Sequence, residues 1–119
     1  MRKPALENIE AEIRQEKAET LGRVGERLEQ ALGELRVLRE QLLRLAEDHA
    51  MGGEQAMPAE IQEGLARHAR LCEVAQDLRY QLVVQREAVG FRRHEDVDRH
   101  YPLPAPLTLA VLFHTEVPR

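Results

Sequence analysis

The chain has 119 residues, 43% hydrophobic and 32% charged, which excludes both a disordered polar segment and a membrane-buried one. Its net charge of −4 argues against broad nucleic-acid binding, since neutralising phosphates takes a concentrated basic surface. A single cysteine, Cys72, excludes an intrachain disulfide, and only four residues are aromatic, all in the last third.

The N-terminal sequence is Glu-rich and shows no signal-peptide pattern. The longest apolar run, residues 107–113, falls well short of the roughly 20 residues that span a bilayer. A cytoplasmic location without membrane contact is the expectation.

A first helix is expected over residues 4–48. Pro4 suits a first helical turn, and Glu7 and Glu10 suit the positive end of the helix dipole. Leu21, Val24, Leu28, Ala31, Leu35, Leu38, Leu42 and Leu45 then follow one another at alternating steps of three and four. That spacing draws one apolar seam along a helix, which other helices must cover. Upstream the phase runs Leu6, Ile9, Ile13, Lys17, Leu21, with a four-residue stutter that locally unwinds a supercoil. Leu32, Val37 and Leu43 widen the stripe beyond what a two-stranded coil uses, so the seam is expected to meet two neighbours. Such a helix is roughly 65 Å long, whereas a compact chain of this size has a radius of gyration of about 13–14 Å; the molecule must be elongated.

Residues 49–57 read as a turn, and a second helix spans about 58–90, from Pro58 to a terminating Gly90. Its main stripe is Ile61, Leu65, Leu71, Val74, Leu78, Leu82 and Val89. A second stripe is Tyr80, Val84, Ala88 and Phe91, for which the tail or another chain is the candidate neighbour. The short connection makes the two helices an antiparallel hairpin. The tail, 91–119, has a charged stretch from Arg92 to His100, then Tyr101-Pro-Leu-Pro-Ala-Pro, whose alternate prolines forbid regular helix. The apolar plug 107–113 follows, as a short helix from Pro106 in preference to a strand. It needs burial, and one hairpin offers it little room, which points to a second subunit.

The fold class is therefore all-α: one domain over 1–119, a long helical hairpin with a short C-terminal helix or extended tail. Two such hairpins are expected to pair into a four-helix bundle, whose packing seam is Leu21, Val24, Leu28, Leu35, Leu38, Leu42 and Leu45. Two mutually exclusive uses suit the small residues Ala18, Gly22 and Gly25: close packing of helices, or room for a ligand.

Residues with chemical potential are few. His68 and Cys72 stand at i, i+4, a spacing that lets two ligands meet one metal, but no third ligand is placed by sequence. Gln85 occupies a core-like step, where a buried polar group fixes register, and Arg86 and Glu87 follow it. These five form the candidate polar cluster. His94, Asp96, Asp98 and His100 alternate along the tail as a charged turn, and Arg86, Arg92, Arg93 and Arg99 interleave with acids. Neither a Glu-x-x-His pair, a nucleophile elbow, a phosphate loop nor a dinucleotide fingerprint occurs. No catalytic residue, cofactor or metal is assigned.

Two stretches carry a resemblance: Glu16 to Leu32 (EKAETLGRVGERLEQAL), and Val83 to Arg92 (VVQREAVGFR) followed by Tyr101-Pro-Leu-Pro. Together they resemble a family of small bacterial helical proteins described as a domain of unknown function. The resemblance covers most of the chain outside 49–70 and departs at Leu107–Phe113. It implies a bacterial origin and supplies no mechanism.

The leading expectation is a non-enzymatic interaction or adaptor module, a homo-oligomer with a dimer favoured, that also meets a protein partner. The alternatives are a dimeric nucleic-acid-associated regulator using Arg86, Arg92, Arg93 and Arg99, and a bundle binding a small molecule or metal through His68, Cys72, Gln85 and Arg86.

Overall fold

The computed structural model describes residues 4–51 and 58–113. Four helices follow in order: α1, Pro4–Met51; α2, Ala59–Ala88; α3, Glu95–His100; and α4, Leu109–Leu112. No strand occurs among the described residues. The molecule measures 79 × 29 × 15 Å with a radius of gyration of 20.9 Å, the elongated shape that the helix lengths demand.

α1 and α2 pack as an antiparallel hairpin along the expected seam. Val24, Leu28, Ala31, Leu35, Leu38 and Leu42 are buried, while Leu21 and Leu45 are half-buried at the two ends. On α2 the contacts come from Ile61, His68, Ala75, Leu78 and Leu82. The core falls into two clusters. One, toward the open tip, joins Val24, Leu28 and Leu35 to Leu78, Leu82 and Val97. The other, toward the interhelical connection, joins Leu38, Leu42 and Ala46 to Ile61, Leu107 and Leu112, and Leu71 packs against both clusters.

Boundaries differ from the sequence reading in three places. α1 runs past Asp48 to Met51, because His49-Ala50-Met51 contains nothing that breaks a helix. The remainder of the expected turn, 52–57, lies outside the described residues, as does 114–119 in the tail. Pro58 caps α2 and is not its first helical residue: at φ −59°, ψ 140° it is outside the helical region, while its carbonyl accepts from the Ile61 and Gln62 amides. The α2 C-terminus is a Schellman motif. The Phe91 amide donates to the Arg86 carbonyl and the Gly90 amide to that of Glu87, with Gly90 at φ +104°. The expected Gly90 stop is thus real, although regular helix ends two residues earlier.

The tail corrects the argument for a second subunit. After the Gly90 turn the chain reverses, and α3 lays Val97 into the tip cluster. The extended stretch 101–107 then runs back parallel to α1, and Leu107 and Leu112 enter the lower cluster. One hairpin does have room for the plug, because most of Leu107–Phe113 need not be enclosed: Leu109 stays exposed. The second neighbour that the wide α1 stripe calls for is therefore the chain's own tail, and Leu32 is buried on that side. α4 begins at Leu109, not Pro106, because Thr108 supplies the cap: its hydroxyl oxygen accepts from the Val111 amide at 3.2 Å.

The hairpin does not use all of α1. At ~1.5 Å per residue, 48 residues extend about 72 Å and the 30 of α2 only about 45 Å. The excess projects beyond the α2 tip as an overhang. From Ala5 to Thr20 every side chain is exposed except half-buried Glu10 and Thr20. This stretch stays helical on local terms, being rich in Ala, Glu, Gln, Lys and Arg. Gln15 donates to Glu19 one turn on.

Candidate functional site

The five residues of the candidate polar cluster occupy two separate places. His68 and Cys72 sit mid-hairpin; Gln85, Arg86 and Glu87 sit at the α2 tip. Thirteen or more residues of straight helix, roughly 20 Å, separate them.

His68 is 1% exposed, the one fully buried polar side chain of the described core. Its Nδ1 lies 3.6 Å from the Cys72 sulfur, and its Nε2 has no partner among the described residues. Burial, aided by the positive charge of Arg39, holds the imidazole below its ordinary range and so neutral. Burial likewise pushes the Cys72 thiol up, which disfavours the nucleophilic thiolate. Metal ligation at i, i+4 is geometrically open, but no group of three candidate ligands forms among the described residues. This pair is core packing with a polar tie.

The tip is built around Arg86. Its guanidinium grips Asp96 at 2.9 and 3.1 Å, donates to the Arg93 carbonyl at 3.2 Å and to His94 Nδ1 at 3.3 Å, and lies 4.5 Å above the Phe91 ring centre. Because Nδ1 accepts, the neutral His94 ring carries its proton on Nε2, which faces Glu87 at 3.9 Å. Arg79 reaches Asp98 of α3 at 2.6 Å in the same way. The arginines of α2 thus tie down the reversed chain. Gln85 is half-buried, with Oε1 lacking a described partner, and Val89 beyond it is exposed, so the main stripe ends at Leu82. Of the expected arginine stripe, Arg86 is turned inward and committed. Arg92, Arg93 and Arg99 remain exposed, with no ion pair among the described residues.

The glycines also divide. A Cβ on Gly25 would meet the Tyr101 hydroxyl at 3.1 Å, so Gly25 makes room for the tail. Gly22 faces open space. Gly64, unmarked by the apolar periodicity, is the residue whose added Cβ would collide with the Leu42 side chain. The available signal was its facing position: Gly64 lies one turn beyond Ile61 on the buried side of α2.

Between α1 and the extended tail lies an open groove of about 420 Å³, floored by Leu32, Leu35 and Leu103 and edged by Arg36, Arg39 and His100. Two apolar surfaces are more prominent. On the overhang, Leu6, Ile9 and Ile13 are 48%, 52% and 47% exposed. On α2, away from the seam, Tyr80, Val84 and Ala88 are exposed, Tyr80 at 67%, and so is Phe91 just past its end. The described part of the tail covers neither. No described helix is long and apolar enough to cross a membrane.

Comparison with protein-family models, with curated proteins and with solved structures finds no match to this chain.

Proposed function

We propose that the chain is a non-enzymatic interaction module of the bacterial cytoplasm that works as a homo-oligomer, a dimer by preference, and offers the assembled surface to a further protein. The observation that carries this reading is the overhang. Three large aliphatic side chains in register with a buried seam are left uncovered on a helix that continues past its partner. Contiguous exposed apolar stripes of this kind mark interaction surfaces. The polar side chains support the non-enzymatic part, since Arg79, Arg86, Asp96 and Asp98 are spent on holding the tail. The test is absolute mass in solution, by light scattering coupled to gel filtration at micromolar concentration. Twice the 13.7 kDa chain mass supports the reading; a monodisperse monomer overturns it.

Exposed Arg92, Arg93 and Arg99 favour a second reading, a dimeric nucleic-acid-associated regulator. It requires salt-dependent binding to duplex DNA, lost when these three are replaced by Gln.

A further inference from the structure

The two uncovered stripes fit each other. We infer that the overhang of one copy, Leu6, Ile9 and Ile13, docks on the outer face of a second copy's α2 tip, Val84, Ala88 and Phe91, and that the exchange is reciprocal. This inference rests on the homo-oligomer reading above and names its interface.

Spacing is the first argument. Leu6, Ile9 and Ile13 line about 10 Å of helix, and on α2 Tyr80, Val84 and Ala88 stand one turn apart on one face, with Phe91 exposed just past the Gly90 turn. Tyr80 extends the α2 stripe by one more turn.

Direction is the second. The overhang stripe continues the α1 seam, so it faces the layer that α2 occupies in its own hairpin. A two-fold axis that sets two hairpins tip to tip brings the second α2 into that layer. Its outer stripe then lies against the overhang, with the two helices parallel. The same operation lays the second overhang on the first α2. A two-fold interface demands a surface that complements itself, and this molecule carries both halves. The overhang offers about 24 Å of helix from Ala5 to Thr20, more than the contact consumes. A single contact this short would fall below the ~1,200 Å² that stable interfaces bury, and reciprocity doubles it.

Charge is the third. Between Ala5 and Thr20 stand Glu7, Glu10, Glu12, Glu16 and Glu19 against Arg14 and Lys17. The tip has the opposite balance. Asp96 and Asp98 are already held by Arg86 and Arg79, so Arg92, Arg93 and Arg99 face solvent opposed by Glu95 alone among the uncommitted acids of the described tail. With Ile9 over Ala88, Glu12 and Glu16 reach the end of α2, where the exposed Arg92 and Arg93 follow the Gly90 turn. A side-by-side bundle through the α1 seam has less to offer, because α2 and the tail already cover that seam.

Cross-linking tests the register. In a Cys72→Ala background, Ile9→Cys and Ala88→Cys are made singly and together, in the full chain. Cysteines bridge only when their Cα atoms come within about 7 Å, and residues 9 and 88 of one chain stand too far apart along the hairpin axis. Mild oxidation of the double variant should give a covalent dimer, with little from either single variant. Efficient cross-linking by Ile9→Cys alone would mean that the overhangs coil around each other, and overturns the inference. So does a dimeric mass with no cross-link in the double variant; the homo-oligomer reading would survive that result, whereas a monomeric mass removes both. Charge provides an independent readout. Arg92→Glu with Arg93→Glu should weaken the dimer at least tenfold at low salt, and adding Glu12→Arg with Glu16→Arg should restore it. Failure of the swap to restore what the first pair lost overturns the pairing.

Discussion

α1 is one helix in two environments. From Leu21 to Ala46 its seam is closed by α2 on one side and the tail on the other; from Ala5 to Thr20 the same kind of seam lies open. The open stretch is also leaner in large aliphatics, with Leu6, Ile9 and Ile13 in 16 residues against ten Leu and Val in the 26 of the closed one. Leu, Ile and Val recur at helical steps in both, with Glu and Arg between them. The partner differs too, and the contrast sets a helix held by packing beside one held by local terms. The closed part holds its fold by buried area. The overhang has only propensity and i, i+4 pairs, which leave a helix of this length marginal by itself.

That contrast can be broken most forcefully at Leu28, which is fully buried. Leu28→Ala should cost ~2–5 kcal/mol in urea unfolding, whereas Ile9→Ala should change the stability of the isolated chain by less than about 0.5 kcal/mol. Equal losses at both sites would mean that the overhang is packed in the monomer after all. Gly64 comes next. Gly64→Ala gains helix propensity but drives a methyl into the enclosed Leu42, and a net loss of roughly 1–3 kcal/mol is expected.

The buried imidazole gives a smaller, pH-dependent effect. His68 has a lowered pKa in the folded chain, so the unfolded chain takes up a proton first as pH falls through about 6.5. Stability is therefore flat above neutrality and declines as pH falls below the unfolded value, until the folded imidazole also protonates. Thermal midpoints at pH 7.5 and 5.5 should show this decline, and His68→Leu should reduce it. A midpoint difference that is unchanged in the variant would assign the slope to other groups. The smallest effect has the opposite sign. Gly22 faces open space in mid-helix, so Gly22→Ala should stabilise by about 0.5–1 kcal/mol. A loss there would reveal something close against the backbone at the base of the overhang.

Much of this fold was legible in the sequence because helical periodicity is a local signal. The run from Leu21 to Leu45 and the Gly90 stop needed only neighbours three or four residues away. The tail was not legible in that way. Of the three residues that widen the stripe, Leu32 and Leu43 report a second neighbour while Val37 is exposed, and periodicity does not say whether a neighbour belongs to the same chain. Three alternate prolines and an apolar plug looked like material for a subunit interface, when the Gly90 reversal brings them back along α1. The polar cluster failed for a related reason. His68 and Cys72 pair because both sit on one helix, whereas the partner of Arg86 is Asp96, across a reversal whose geometry depends on Gly90 at positive φ. Gly64 stayed hidden because a helix-interior glycine has meaning only once the facing side chain, here Leu42, is known.

The strap formed by the tail also decides where the last described residues lie. Phe113 packs edge-on against His49, its ring 5.9 Å away, near the end of α1 opposite to Pro4. Some 45 residues of helix, about 68 Å, therefore separate Pro4 from Phe113. A chain joining those two points would need on the order of 20 fully extended residues. The hairpin acts as a strut: whatever is attached at one pole is held apart from whatever is attached at the other.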